Sequence, residues 1–217
     1  MIKLLNEDCM IVMARYPDNY FELACVDPPY GIGEAGQRNA TGDRPNKKWS
    51  NPVSQKYKSF DDSAIPSGEY FTELFRVSKN QIIWGANHFT EHLPASKGWI
   101  VWDKKADIKE HLSMCELAYS SFDKKCNKFE FLWAGFKKAI KEPRIHPTQK
   151  PVQLYKWLLS NYAKEGDKIL DTHGGSMSSA IACHDMDFDM VLCELDKDYF
   201  ESGLARYKQH IKQLKLF

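Results

Sequence analysis

Asp27-Pro28-Pro29-Tyr30 places a carboxylate, two proline carbonyls and an aromatic ring within four consecutive residues. The tetrapeptide follows Phe21 to Val26, an apolar run that reads as a buried strand. The two prolines stop that strand, because neither can donate a ladder hydrogen bond. They also leave carbonyls that face no competing N–H of their own residue. Ligands of open α/β sheets bind beyond the carboxyl ends of the strands. An acceptor cluster beside an aromatic face suits a planar ring that carries an amino group.

A second tract has the chemistry of a nucleoside site. Residues 168–196 read as a strand, a glycine turn, a helix and a second strand, with Gly174-Gly175 in the turn and Glu194 after the second strand. Glycines let backbone approach a ligand closely, and a helix start offers free N–H groups. An acid about twenty residues further on is placed to bind ribose hydroxyls. This pattern fits an adenosine-type cofactor without choosing between NAD, FAD and S-adenosylmethionine, and the Gly-x-Gly-x-x-Gly of dinucleotide sites is absent. A third tract, His146-Pro147-Thr148-Gln149-Lys150-Pro151, is a proline-bracketed rigid loop whose polar side chains suit either helix capping or a ligand.

These tracts need a scaffold, and the hydrophobic pattern supplies one. Strands are expected at Ile2–Leu5, Phe21–Val26, Gln81–Gly85, Trp99–Trp102, Lys168–Asp171 and Met190–Cys193. Helices are expected at Met10–Tyr16, Pro66–Val77, Pro151–Ala163, Met177–Cys183 and Asp198–Leu214. Glu116–Phe122 and Phe129–Trp133 alternate loosely and suggest a hairpin-like pair near the sheet edge. Strands alternating with helices predict an α/β fold: a mainly parallel twisted sheet, helices on both faces and an antiparallel edge. Residues 31–62 are rich in Gly, Asn, Lys, Ser and Pro with little periodicity. They read as a mobile loop ordered by substrate.

With 217 residues the chain is expected to form one domain. No apolar stretch is long enough to span a bilayer, and the N-terminus lacks a signal-peptide layout. Six scattered cysteines with no Cys-x-x-Cys pair fit free thiols in a reducing cytoplasm, and no metal site is expected. The net charge of +1 hides an asymmetry. Residues 31–58 carry net +4, including Arg38, Arg44, Lys47, Lys48 and Lys56. Residues 124–150 carry net +6, including Lys137, Lys138 and Arg144, which leaves −9 for the remainder. Two basic segments flanking site motifs on an acidic body form the footprint of a polyanion-binding face.

Taken in order, the motifs resemble those of the S-adenosylmethionine-dependent amino-methyltransferases of DNA, in the permuted β group, where the catalytic motif precedes the cofactor motif. Asp27-Pro28-Pro29-Tyr30 is similar to the family's catalytic tetrapeptide in the form associated with N6-adenine; the N4-cytosine enzymes usually begin with serine. His146 to Pro151 resembles the loop that closes over the methionine end of the cofactor. Asn6-Glu7-Asp8-Cys9 resembles the N-terminal strand end, whose aspartate reaches the cofactor's adenine. Asp171 to Ser176 resembles the cofactor loop, and Glu194 its ribose-binding acid.

The resemblance spans nearly the whole chain and implies a Rossmann-like methyltransferase fold, S-adenosylmethionine as cofactor and DNA as partner. It implies catalytic roles for Asp27, Pro28, Pro29 and Tyr30. Cofactor contacts are implied from Asp8, Cys9, Asp27, His146, Thr148, Gln149, Lys150, Asp171, His173, Gly174, Gly175, Ser176 and Glu194. The short 103–144 segment stands where larger relatives carry target recognition, a size that fits a compact solitary enzyme of phage or prophage type. Against the usual Asp-Pro-Phe-x-Gly-Ser-Gly loop, this chain reads Asp171-Thr172-His173-Gly174-Gly175-Ser176-Met177, with His173 in the place of the aromatic and Met177 in that of the second glycine. N4-cytosine DNA methylation, RNA N6-adenine methylation, a non-catalytic DNA-binding relative and a nicotinamide oxidoreductase are the competing readings. Dimerisation is common in the group, and no sequence stripe specifies a homodimer.

Overall fold

The computed structural model describes residues 1–32, 64–105, 113–134, 137–140, 142 and 144–212. Strand β1 (Ile2–Leu5) leads into helix α1 (Cys9–Met13), and β2 (Phe21–Val26) delivers the proline turn. Helix α2 (Gly68–Val77) runs directly into β3 (Ser78–Trp84), followed by short 3-10 turns at Ala86–His88 and Thr90–His92. Then come β4 (Ile100–Asp103), β5 (Cys115–Ser120), β6 (Asn127–Glu130) and the short β7 (Trp133–Ala134) and β8 (Lys137–Lys138). The chain closes with α3 (Val152–Tyr162), β9 (Lys168–Asp171), α4 (Ser178–Asp185), β10 (Asp189–Cys193) and α5 (Lys197–Ile211).

Eight strands form one sheet in the order β1-β10-β9-β2-β3-β5-β4-β6. From β1 to β3 every neighbouring pair is parallel, whereas β5 is antiparallel to both β3 and β4. The parallel strands read as continuous apolar runs because both of their faces are covered. On β2, Leu23 and Cys25 pack on the side of α3 and α4, while Ala24 and Val26 pack against α1 and α2. Ile169 and Leu170 of β9 divide in the same way. The two-residue period thus sends alternate side chains into two separate cores.

The expected pairing of 116–122 with 129–133 is not what forms. β4 lies between β5 and β6, antiparallel to the first and parallel to the second. Trp102 of β4, 1% exposed, packs edge-on against Trp84 of β3, so inserting β4 buries a large ring that a bare hairpin would leave wet. Each helix start lies one or two residues from expectation, and two of the shifts have a visible cause. Helix α1 begins at Cys9 because Asp8 caps it, its carboxylate accepting from the N–H groups of Met10 and Ile11 at 2.8 and 3.3 Å. Met177 stands before α4 with φ +58°, so the helix proper starts at Ser178.

Strand order sets the position of the site. From β9 the chain crosses to β10 on one side, and from β2 it crosses to β3 on the other. The direction of winding therefore reverses between β9 and β2, which pair directly through Leu23–Ile169 and Ala24–Leu170. A crevice opens at such a switch point, beyond the carboxyl ends of the strands.

Candidate active site

The crevice is a cavity of about 1080 Å³. Its wall brings together Asp27, Tyr30, Asp8, His146, Lys150, His173, Gly175 and Glu194, residues spread over most of the sequence. That volume, just above the usual range of small-molecule sites, has room for two adjoining planar ligands.

Asp27 sits just past β2 with both carboxylate oxygens engaged. Oδ1 accepts from the Tyr30 hydroxyl at 2.6 Å, and Oδ2 meets Lys150 Nζ at 2.5 Å. Lys150, 4% exposed, also lies 3.1 Å from Glu116 Oε2 and donates to the Tyr30 hydroxyl oxygen at 3.2 Å. Lys104 pairs with the other Glu116 oxygen at 2.6 Å. Lys104, Glu116, Lys150 and Asp27 thus form an alternating chain of charges across the end of the cavity. Burial by itself would raise the Glu116 carboxyl, but Lys150 and Lys104 outweigh it and hold the group down at about 2. Burial would likewise lower Lys150, yet Asp27 and Glu116 raise it above its usual value.

Tyr30 is held by what lies against its ring. Gly85 ends β3 with φ +68°, and a Cβ there would fall 2.1 Å from Tyr30 Cε1. The same turn supplies His88, whose ring is parallel to Tyr30 within 12° at a 5.3 Å centroid separation. A glycine is required both by the backbone angle and by the ring.

The other end of the cavity follows β9. Asp171 is 1% exposed, accepting from Ser179 Oγ at 2.5 Å and from the His173 N–H at 3.0 Å. Burial pushes its carboxyl up to about 7 despite those hydrogen bonds. Glu194, past the end of β10, accepts from the N–H groups of Gly175 and Asp196, both at 2.8 Å. Each carboxylate oxygen keeps a second lone pair, so this fastening leaves acceptors for ribose hydroxyls. His146 packs on Tyr199 at 4.3 Å, and its Nδ1 meets Thr148 Oγ1 at 3.0 Å. Burial, aided by Arg144 and Lys150, lowers its imidazole to about 4.

The turn accommodates Met177 at the position where the resembled loop motif has glycine. Met177 takes a left-handed backbone angle that favours glycine, and its side chain is fully buried. Opposite it stands Gly203 of α5, where a Cβ would lie 2.9 Å from both Met177 Cγ and the Gly175 carbonyl oxygen. The missing side chain at 203 makes room for the extra one at 177. Arg206, one turn along α5, donates to the Ser176 carbonyl at 2.6 Å, to Ser178 Oγ at 3.0 Å and to Glu142 at 2.9 Å. The last helix therefore clamps the loop from behind.

Several residues singled out from sequence occupy supporting positions. Lys150 is spent on Asp27 and Glu116 and adds nothing to a phosphate-binding surface. The Gln149 side chain accepts from Ile145 N–H at 3.0 Å, and Arg144 turns back to the His146 carbonyl at 3.2 Å and to the Pro147 carbonyl. Cys9 lines the cavity beside Asp8. Pro28 and Pro29 also line it, as do Thr148, Gly174 and Ser176. Lys137 and Lys138 form β8. Arg38, Arg44, Lys47, Lys48 and Lys56 lie outside the described residues, as does the 31–62 loop beyond residue 32. Glu116, Lys104, Gly85, Tyr70, Thr172 and Arg206 were not evident from sequence. Only Thr172, inside the glycine tract, carried a local signal. Among the described residues no cluster of His, Cys, Asp and Glu could hold a metal ion, and no helix is long and apolar enough to cross a membrane.

Comparison with known proteins places this architecture. Residues 44–205 match the family model described as DNA methylase. A curated relative, "Putative methylase YubD" of Escherichia coli (strain K12), is 24% identical over 222 aligned residues, covering 95% of this chain and 90% of that protein. The crystal structure of the M1.HpyAVI–SAM complex superposes with a TM-score of 0.58 at 19% identity, covering 95% of this chain and all of that one. The cytosine-N4-specific PvuII DNA methyltransferase superposes at 0.61 with 8% identity, covering 97% of this chain and 90% of that one. At such identities the two superpositions establish the shared fold.

Proposed function

The chain belongs to the DNA methylase family, and on that premise we propose that it methylates the exocyclic N6 of adenine in DNA. One observation carries the reading. Asp27-Pro28-Pro29-Tyr30 and residues 172–176 with Glu194 line one continuous cavity at the switch point of the sheet, while Asp171 is buried and does not line it. A reacting amine and a nucleoside cofactor therefore have adjoining places. Aspartate at the head of the tetrapeptide supports adenine over cytosine.

The cofactor is S-adenosylmethionine, which supplies a methyl group on a sulfonium sulfur that leaves as a neutral thioether. The cavity fits it: carboxylates stand at the ends of β1 and β10, a glycine turn lies between them, and the 146–150 loop closes the far side. We assign the ribose to Glu194, the adenine to the Asp8 and Cys9 end, and the methionine end to His146 and Thr148. Gly174, Gly175 and Ser176 bring backbone close to it.

An amino group conjugated to a purine is a weak nucleophile, because its lone pair is delocalised into the ring. Asp27 and the Pro28 carbonyl accept its two hydrogens and draw the nitrogen towards tetrahedral geometry. The lone pair is then free for in-line attack, and positioning supplies much of the rate. Although both Asp27 oxygens are already engaged, each retains a lone pair for an incoming N–H. The methylated nitrogen carries one proton too many and gives it to solvent or to Asp27. Tyr30 stacks on the base once it has left the duplex. Arg38, Arg44, Lys47, Lys48 and Lys56 hold phosphates, with Lys137 and Lys138, so binding weakens steeply with salt. Residues 103–144 read the target site.

The test is direct. Purified protein is incubated with methyl-labelled S-adenosylmethionine and duplex DNA, and the DNA is hydrolysed to nucleosides. Label in N6-methyladenine is expected. Label in N4-methylcytosine would overturn the base assignment, and transfer to RNA alone would overturn DNA as the substrate.

A further inference from the structure

His173 departs from the resembled loop, and its surroundings give it polar work that a phenylalanine there could not do. Thr172 Oγ1 lies 2.7 Å from the Tyr70 hydroxyl and 2.9 Å from His173 Nδ1. Tyr70 and Thr172 stand in the cavity wall but are both only 3% exposed, so their hydroxyls have little water to turn to. The three groups have one arrangement that satisfies both hydroxyl hydrogens. Tyr70 donates to Thr172, and Thr172 donates to Nδ1. If Nδ1 carried the hydrogen instead, either the Tyr70 or the Thr172 hydroxyl hydrogen would have no acceptor within the trio. Burial lowers the imidazole to about 4, so the neutral ring keeps a single hydrogen at physiological pH. That hydrogen is on Nε2. Among the described residues Nε2 has no hydrogen-bond partner, and His173 lines the cavity between the Asp8 end and Gly174.

We propose that His173 is a cofactor-binding hydrogen-bond donor, fixed by the Tyr70–Thr172 hydroxyl chain so that Nε2–H meets an acceptor atom of bound S-adenosylmethionine. The inference rests on the cofactor assignment above and adds to it a specific contact. His173→Phe keeps the ring and loses the donor. Thr172→Val keeps the imidazole but releases its tautomer. His173→Gln returns an amide N–H close to the position of Nε2.

Two measurements on the full chain decide it. Nitrogen NMR of the cofactor-free protein reports the tautomer, with Nε2–H expected in the wild type and a mixture in Thr172→Val. Calorimetry with S-adenosylmethionine reports the contact. His173→Phe is expected to weaken binding by about tenfold, the loss of one well-made hydrogen bond. Thr172→Val should weaken it less, and His173→Gln should recover part of it. An Nδ1–H tautomer in the wild type, or a His173→Phe protein that binds as tightly as the wild type, overturns the inference. Should His173→Phe fail to fold, the tautomer and the Thr172→Val affinity still decide it. A wild type that does not bind the cofactor would overturn the cofactor assignment itself, a different result.

Discussion

At one end of the cavity Lys104, Glu116, Lys150 and Asp27 alternate in sign and are all paired; at the other, Tyr70, Thr172 and His173 pass hydrogen bonds along without a net charge. On the proposed reading the charged end presents a carboxylate to an amine, and an unpaired ion buried there would be costly. Lys150 holds Asp27 in place and bridges it to Glu116. The other end, on the proposed reading, fits a cofactor that brings its own positive sulfonium. There the uncharged hydroxyl–imidazole chain stands beside the carboxylates of Asp8 and Glu194 and does not repel such a ligand. The same cavity thus uses paired ions at its reacting end, and an uncharged hydrogen-bond chain beside carboxylates at its cofactor end.

That contrast can be broken at several points. The largest expected effect is from Lys150→Met, which leaves Asp27 and Glu116 as buried carboxylates without their shared cation. Removing one partner of a buried pair costs about 3–5 kcal/mol, so thermal unfolding should show a severe loss of stability. Turnover should fall about a hundredfold or more, and adding Glu116→Gln should restore stability without restoring turnover. Recovery of full turnover in the double variant would remove Lys150 from the positioning of Asp27.

Gly85→Ala comes next. The new methyl group collides with the Tyr30 ring at a backbone angle unfavourable to alanine, a strain of about 1–3 kcal/mol. Turnover should drop while cofactor affinity measured by calorimetry stays near that of the wild type. Tyr30→Phe should have a smaller effect, because it removes only the hydroxyl donated to Asp27 and keeps the ring. A change in turnover of less than about tenfold is expected from a hydrogen bond of that worth, against a much larger loss in Tyr30→Ala. Equal losses in the two variants would shift the importance of Tyr30 from its ring to its hydroxyl.

The smallest effect concerns pH. The His173 imidazole is lowered from 6.5 to about 4 by burial. Between those values the unfolded chain binds more protons than the folded one, so stability falls as pH drops through that window. His173→Phe should flatten the melting temperature against pH from about 6.5 to 4. Asp171 acts in the opposite sense: its carboxyl is raised to about 7, so its contribution is present at low pH and lost as pH rises. A slope unchanged by His173→Phe would mean the ring takes up protons freely when folded.

Much of this arrangement was legible in the sequence because it depends on local rules. Prolines end β2, glycines open the turn after β9, and continuous apolar runs mark strands covered on both faces. What was not legible came from long-range contacts. Glu116 is one polar position in an alternating strand, and nothing local shows that β4 inserts beside it and brings Lys104 within reach. The expected 116–133 pairing failed for the same reason, since short strands of similar pattern do not specify their neighbours. Lys150 looked like a ligand-facing residue of a basic segment, and only the fold reveals that it points at Asp27. Gly203 had no signal at all until Met177 was seen to occupy the space in front of it.

The division of labour between the two ends is tested most directly by measuring turnover and cofactor affinity together in Asp27→Ala. Methyl transfer to DNA is expected to disappear, while calorimetry gives an S-adenosylmethionine dissociation constant within about threefold of the wild type, a difference below about 0.7 kcal/mol. An Asp27→Ala protein that keeps wild-type turnover would contradict the assignment of chemistry to that end. One that loses cofactor binding along with turnover would contradict the separation of the two.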